Sequence, residues 1–316
     1  MDEQTYRSKI DPDFVQAYDE SVGFDLRDLR QNYLNLLKAD IANLKEDPAV
    51  DTYETFIEGP ADHPQLKVRV YRPAGHSDDI LPVALWFHGG GYVLGSVYNH
   101  NDFCLRYCKG VGCCIISVDY RLAMDAKEPA AVEDAYAALC YVHSHPNQFG
   151  IDPNRIAAFG LSAGGGITAA LALMTRDRKG PELVLQMPLY AMLDHRMNTV
   201  SAKEVTDHHV WSTPYSEIGY GAYLDPEKEV SYYASPMLCE NFEGVAPLFS
   251  YIGTLDPFRD ENMAYWSKLM QAGIPVEAHV YPNVYHCFEV KAPDQPLAQT
   301  AYRAGFNAMK KAFKML

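Results

Sequence analysis

The chain has 316 residues, 48% of them hydrophobic and 22% charged, enough for one substantial core of the mixed α/β kind with an appendage. Its 27 Lys and Arg against 41 Asp and Glu leave a net charge of −14 at neutral pH. That charge repels nucleic-acid backbones and anionic membrane surfaces, so neither is an expected partner. The stretch MDEQTYRSKIDPDFV has no basic segment followed by an apolar one, and no window approaches the ~18 apolar residues of a membrane span. No membrane insertion and a cytoplasmic location are expected. The cysteines are odd in number, and Cys104, Cys108, Cys113 and Cys114 fit the spacing of neither a zinc site nor a disulfide framework. They read as buried reduced thiols.

Residues 1 to about 48 are polar, with Leu26, Leu29, Tyr33, Leu36, Leu37 and Ile41 at helical spacing, and the stretch closes at Pro48. The pattern predicts two amphipathic helices. Short β-rich runs follow: TYETFIE, LKVRVYRP, PVALWFH, CCIISVDY, RIAAFGLS, ELVLQMPLY, APLFSYIG and VEAHVYP. The first two alternate, as half-exposed antiparallel strands do; the later ones are nearly continuous apolar runs separated by helix-length segments such as AAVEDAYAALCYVHSH and GGGITAALALMTRD. That is how buried parallel strands with crossover helices read, so the architecture is an α/β fold with a mostly parallel eight-stranded sheet and helices on both faces. About fifty-five residues rich in aromatics and His separate the strand ending at Tyr190 from the one starting at Ala246. So long a connection predicts an excursion above the sheet, helical in character.

Two glycine-rich sites carry the chemistry. In FGLSAGGG, Gly160, Ser162 and Gly164 fit G-x-S-x-G between an apolar strand and a helix-like run, the setting in which a sharp turn exposes a nucleophilic serine. A serine hydroxyl needs a base, and the base an acid to orient it. Asp256 follows the strand APLFSYIG and His286 follows VEAHVYP, so both belong at the same sheet edge as Ser162, in the order Ser, Asp, His of α/β-hydrolases. One helix and one strand fit between Asp256 and His286, a single crossover unit that sets their loops side by side. The second site, FHGGGYVLG, spends three glycines where a buried strand ends. Backbone N–H groups there can meet the oxyanion of a tetrahedral intermediate, provided no side chain blocks it. Gly90 and Gly91 are the expected donors, with the N–H of Ala163 as the third, while His88 and Gly89 shape the loop.

The segments HGGGYVLGS, DYRLAMDAKEPAAVEDAYAAL, GLSAGGG, YASPM, DPFRDE and the stretch around His286 together resemble the hormone-sensitive-lipase-like (bacterial family IV) carboxylesterases of the α/β-hydrolase fold, over residues 65 to 290. The resemblance implies helical cap segments at residues 1–48 and 193–235, the latter set within a catalytic domain of residues 49–316. It also implies supporting roles for Tyr120, Arg121, Glu133 and Asp134. The chain departs from the pattern at Leu161, where Asp is usual before the nucleophile, at Met124-Asp125 in place of Pro-Glu, and at Cys287, where glycine is common.

No metal or cofactor is expected. His143 and His145, two apart on a helical stretch, point to different faces. His208 and His209 belong to a solvated rim, and GLSAGGG lacks the G-x-G-x-x-G spacing of a dinucleotide loop. The expected substrate is a small, fairly apolar acyl ester of roughly two to six acyl carbons, since each buried methylene gains only about 0.8 kcal/mol while a clash costs more. An amide-directed hydrolase on the same triad and a non-catalytic receptor of the same fold are the alternatives. A homodimer contact is the other use the N-terminal helices could serve.

Overall fold

The computed structural model describes residues 1–76 and 79–316. All eight predicted strands form, as β1 (Val50–Glu58), β2 (Gln65–Pro73), β3 (Leu81–Phe87), β4 (Cys114–Val118), β5 (Ile151–Leu161), β6 (Leu185–Leu189), β7 (Leu248–Leu255) and β8 (Val276–Tyr285). They make one sheet in the order β1-β2-β4-β3-β5-β6-β7-β8. β2 pairs antiparallel with β1 and β4, and every other pair is parallel. Every residue of β3 and of β4 is buried. Successive side chains of a strand point to opposite faces, so both faces of the sheet centre are covered. The branched and aromatic side chains of LPVALWF suit that setting, each fully buried one contributing about 1.5–3 kcal/mol. β8 departs from the reading of its sequence as an interior run. It is the sheet's edge, and Glu277, Ala278 and Val280 are exposed.

The helices are α1 (Glu3–Ser8), α2 (Pro12–Asp19), α3 (Leu29–Ala42), α4 (Asn101–Tyr107), α5 (Ala130–Ser144), α6 (Pro146–Phe149), α7 (Ala163–Arg178), α8 (Val200–Glu204), α9 (Thr213–Tyr223), α10 (Arg259–Gln271), α11 (Phe288–Lys291) and α12 (Pro296–Ala312). Three helices, not the expected two, occupy the first 48 residues. Each starts at an aspartate whose carboxylate accepts a backbone N–H of the first turn: Asp2 from Thr5, Asp11 from Asp13 and Asp28 from Gln31. α1 and α2 are anchored to the strand ends. The Tyr6 hydroxyl donates to the Leu255 carbonyl at 2.6 Å, the Tyr285 hydroxyl to the Phe14 carbonyl at 3.2 Å, and Tyr18 bonds Asp207. α3 has no fully buried residue. In the long excursion before β7, only α8, α9 and a single turn at Pro236–Leu238 are helical.

From β3 the chain passes through α4 to β4 on one side, then through α5 to β5 on the other side of β3. The loops that leave β3 and β5 therefore part in opposite directions and open a crevice at the carboxyl edge of the sheet. Both glycine-rich sites sit there. Among the described residues, no helix is long and apolar enough to cross a membrane.

Candidate active site

Ser162 lies between β5 and α7 with φ 56° and ψ −116°, a backbone conformation that non-glycine residues seldom adopt. Three backbone hydrogen bonds hold it there. Its N–H donates to the Leu189 carbonyl at 3.0 Å, and its carbonyl accepts from Gly166 at 2.9 Å and Met192 at 3.0 Å. The turn closes so tightly that a Cβ on Gly164 would overlap the Phe87 carbonyl oxygen. The Ser162 hydroxyl is buried and has no hydrogen-bond partner among the described residues.

Asp256, just past β7, is fully buried, and His286, just past β8, is 4% exposed. Asp256 Oδ2 lies 2.7 Å from His286 Nδ1, while Oδ1 accepts the Phe258 N–H at 2.8 Å. The imidazole is further held edge-on to Tyr190, with centroids 4.8 Å apart, and to Phe258 at 5.3 Å. With Nδ1 engaged by the carboxylate, Nε2 is the nitrogen left to act as a base. Burial disfavours the imidazolium, but the Asp256 carboxylate, joined by the neighbouring Cys287, outweighs burial and raises the His286 pKa above its usual value. Ser162 and His286 border the same cavity of about 260 Å³.

The glycine loop completes this edge. Gly90 has φ 116° and Gly91 φ 61°, and a Cβ on Gly91 would overlap the Trp211 ring. Among the described residues no acceptor takes the N–H of Gly90 or Gly91, and the N–H of Ala163, first in α7, has no partner within its helix. Gly89, expected only to shape the loop, itself reaches the cavity wall beside Gly90. His88 is fully buried; its Nδ1 sits 2.8 Å from the Gly89 carbonyl and its ring stacks on Tyr120 at 4.2 Å. Burial lowers its pKa to about 4, so it stays neutral.

Glu133, expected to support the site, faces Arg178 instead. It pairs with Arg178 at 2.5 Å, whereas its neighbour Asp134 is fully buried and takes the Arg121 N–H and guanidinium. Adjacent residues on a helix diverge by about 100°, so only one of the two can face inward. Leu161, in place of the usual Asp, is fully buried, and Cys287 has φ 60°. His209 pairs with Asp207 at 3.1 Å beside the Tyr18 ring, at a half-buried rim position. The sequence did not reveal most of the cavity wall. Phe24 and Leu36 reach it from the N-terminal segment, Val210 and Trp211 from the excursion, and Asn99, His100, Val290 and Lys291 from the main body. Of these, Leu36 carried a sequence signal as part of the helical apolar spacing, and Trp211 as one of the aromatics of the long excursion.

A model of the α/β-hydrolase fold matches residues 84–290. The esterase LipI of Mycobacterium tuberculosis is 33% identical, over 83% of this chain and 82% of its own length. An ethyl acetate hydrolase of Pseudomonas putida is 32% identical over 71% of each chain. The solved structure of a bacterial heroin esterase superposes with a TM-score of 0.91 at 30% identity, covering 97% of this chain and 98% of its own. With the serine turn and the His–Asp pair at the carboxyl edge of an eight-stranded sheet, these likenesses show that the chain belongs to the α/β-hydrolase fold family, in its hormone-sensitive-lipase-like carboxylesterase group.

Proposed function

We propose that the chain is a serine carboxylesterase acting on short, fairly apolar acyl esters, with Ser162 as nucleophile, His286 as general base and Asp256 orienting it. The observation that carries this reading is a serine hydroxyl without a hydrogen-bond partner among the described residues, held at a strained turn, bordering the same cavity as a histidine locked to a buried carboxylate. His286 Nε2 takes the Ser162 proton as Oγ attacks the ester carbonyl. The resulting oxyanion meets the N–H groups of Gly90, Gly91 and Ala163, each such donor lowering the barrier by roughly 3–4 kcal/mol. Collapse breaks the C–O bond, the imidazolium returns the proton to the departing alcohol, and water repeats the sequence on the acyl-enzyme.

The short-chain preference is supported by the cavity's size and by apolar walls from Phe24, Leu36, Leu94, Val210, Trp211 and Val290. Residues 1–48 and 193–235 would then serve as the cap. Ser162→Ala should lower hydrolysis of 4-nitrophenyl butyrate by at least 10³-fold with an unchanged circular dichroism spectrum. Near-wild-type turnover would remove Ser162 as nucleophile. Turnover of the matching anilide at the ester's rate would move the assignment to amide chemistry.

A further inference from the structure

His100 stands where the fold makes no use of it. It precedes α4 in the left-handed region, φ 60° and ψ 32°, yet its side chain does not cap that helix. Its imidazole makes no hydrogen bond to any described residue, and Nδ1 is enclosed without a partner. Its one close aromatic neighbour is Trp86, edge-on with centroids 6.2 Å apart. A strained backbone conformation and an unsatisfied buried nitrogen both cost stability, and such costs persist mainly at functional positions.

The place of the ring suggests its use. A Cβ on Gly89 would lie 3.6 Å from Ser162 Cβ and 3.7 Å from His100 Cε1, so serine and imidazole flank the same glycine. His100 borders the cavity that holds Ser162. Burial, with smaller contributions from His88, Lys291 and His286, lowers its pKa to about 3, which leaves a neutral ring with one donor and one acceptor. Beside Ser162 and His286 of the proposed triad and the Cys287 thiol, the other polar side chains of this wall are Lys291, which is exposed, and Asn99, which donates to Asp40 at 3.3 Å. The rest of the wall is largely apolar, so this is the corner at which a polar atom of the substrate would be read.

We propose that His100 is a substrate-contacting, specificity-determining residue that hydrogen-bonds a second oxygen of the ester, so that short esters carrying an ether, keto or hydroxyl oxygen a few atoms from the reacting carbon are preferred over alkyl esters of the same length. This depends on the esterase reading of Ser162. A site with a buried hydrogen-bonding group discriminates against the analogue that leaves it unpaired.

Two shape-matched pairs test it: 4-nitrophenyl methoxyacetate against 4-nitrophenyl butyrate on the acyl side, and 2-methoxyethyl acetate against butyl acetate on the alcohol side. The readout is the kcat/KM ratio within each pair, for wild type, His100→Leu and His100→Asn. Each ratio is taken within one protein, so the folded fraction cancels, and Asn tolerates the left-handed conformation better than Leu. In at least one pair the ratio should fall about fivefold or more in His100→Leu, mostly through KM. Ratios within twofold of wild type in both variants and both pairs would overturn the proposal. Ser162→Ala run alongside separates the two readings: butyrate hydrolysis that survives it overturns the nucleophile assignment, whereas loss there with unchanged His100 ratios overturns only the role of His100.

Discussion

In the proposed mechanism His286 works as a base only when neutral, so its environment would set the acidic limit of activity. Because the buried Asp256 carboxylate raises the pKa above the usual 6.5, the imidazole stays protonated to a higher pH than a free one. The acid limb of kcat/KM for 4-nitrophenyl butyrate should therefore lie above pH 6.5. Asp256→Asn removes the raising charge and leaves the desolvation that lowers the pKa, so the limb should move to lower pH while kcat falls on the order of 10³- to 10⁴-fold. Asp260 supplies the control, since its carboxylate serves Ser201 and Arg259 instead. If Asp260→Asn costs as much as Asp256→Asn, or if the Asp256→Asn limb stays in place, Asp256 is not the orienting acid. These residues were legible because each follows an apolar run whose period marks a strand, and a strand end fixes a position on the sheet edge. His100 was not: nothing local distinguishes a histidine that borders a cavity from one at the surface. Buried carboxylates were equally hidden, as with Glu289, whose Oε1 accepts the hydroxyls of Tyr190, just past β6, at 2.6 Å and of Tyr251 in β7 at 2.8 Å, two residues far apart in sequence.

At the scale of elements, the glycine loop is held from behind by the segment that follows β4. The Tyr120 hydroxyl donates to the His88 carbonyl at 2.8 Å while its ring stacks on the imidazole. The next residue, Arg121, gives Asp134 of α5 its backbone N–H at 2.8 Å and its guanidinium at 2.8–3.1 Å. Asp134 is fully buried, so this charged clamp ties the β4 end to α5 inside the protein. Asp134→Ala would strip Arg121 of those bonds and leave it only the exposed Asp62. Losing one partner of a buried pair should cost about 3 kcal/mol, read as a lower urea midpoint with an unchanged slope. A loss below about 1 kcal/mol would show that the clamp holds nothing. Glu133→Ala, at the half-exposed Arg178 pair, should stay within about 0.5 kcal/mol. The division of the N-terminal segment into three helices was in principle readable. Asp11-Pro12 is a cap followed by a helix-starting proline, and Asp28 precedes the longest apolar pattern. The apolar spacing from Leu29 to Ile41 marks α3 alone, so the number of helices before it depends on the caps and not on periodicity.

For the whole molecule, the consequence of that division is that residues 1–48 do two different jobs, so deleting them together would test neither. Tyr6, Phe14 and Tyr18 are at most 1% exposed and pack against the loops that carry Asp256 and His286. Removing residues 1–19 should therefore leave a chain that unfolds or aggregates, because three large buried side chains and the polar groups bonded to them are lost at once. α3 is different: it contributes Leu36 to the cavity wall without burying any residue fully, and the loop before it supplies Phe24, whose ring stands edge-on to Trp211 and Tyr215 at 5.4 Å. Phe24, Leu36 and Trp211 thus form one aromatic and aliphatic wall from two segments nearly two hundred residues apart, a contact that no local pattern encodes. If that wall limits the acyl chain, trimming it should extend the substrate range, with little loss of stability at the half-buried Leu36 but a cost of about 3–5 kcal/mol at Trp211, which is 5% exposed and donates its indole N–H to Ser216 at 3.0 Å. Leu36→Ala should leave butyrate turnover within about twofold and raise the octanoate-to-butyrate ratio of kcat/KM. Trp211→Ala should raise that ratio about tenfold, the effect of relieving a clash of one or two methylenes. The measurement is a series of 4-nitrophenyl esters from acetate to decanoate on each folded variant. A length profile identical to wild type in both would mean that the wall does not touch the acyl chain and that chain length is set elsewhere in the site.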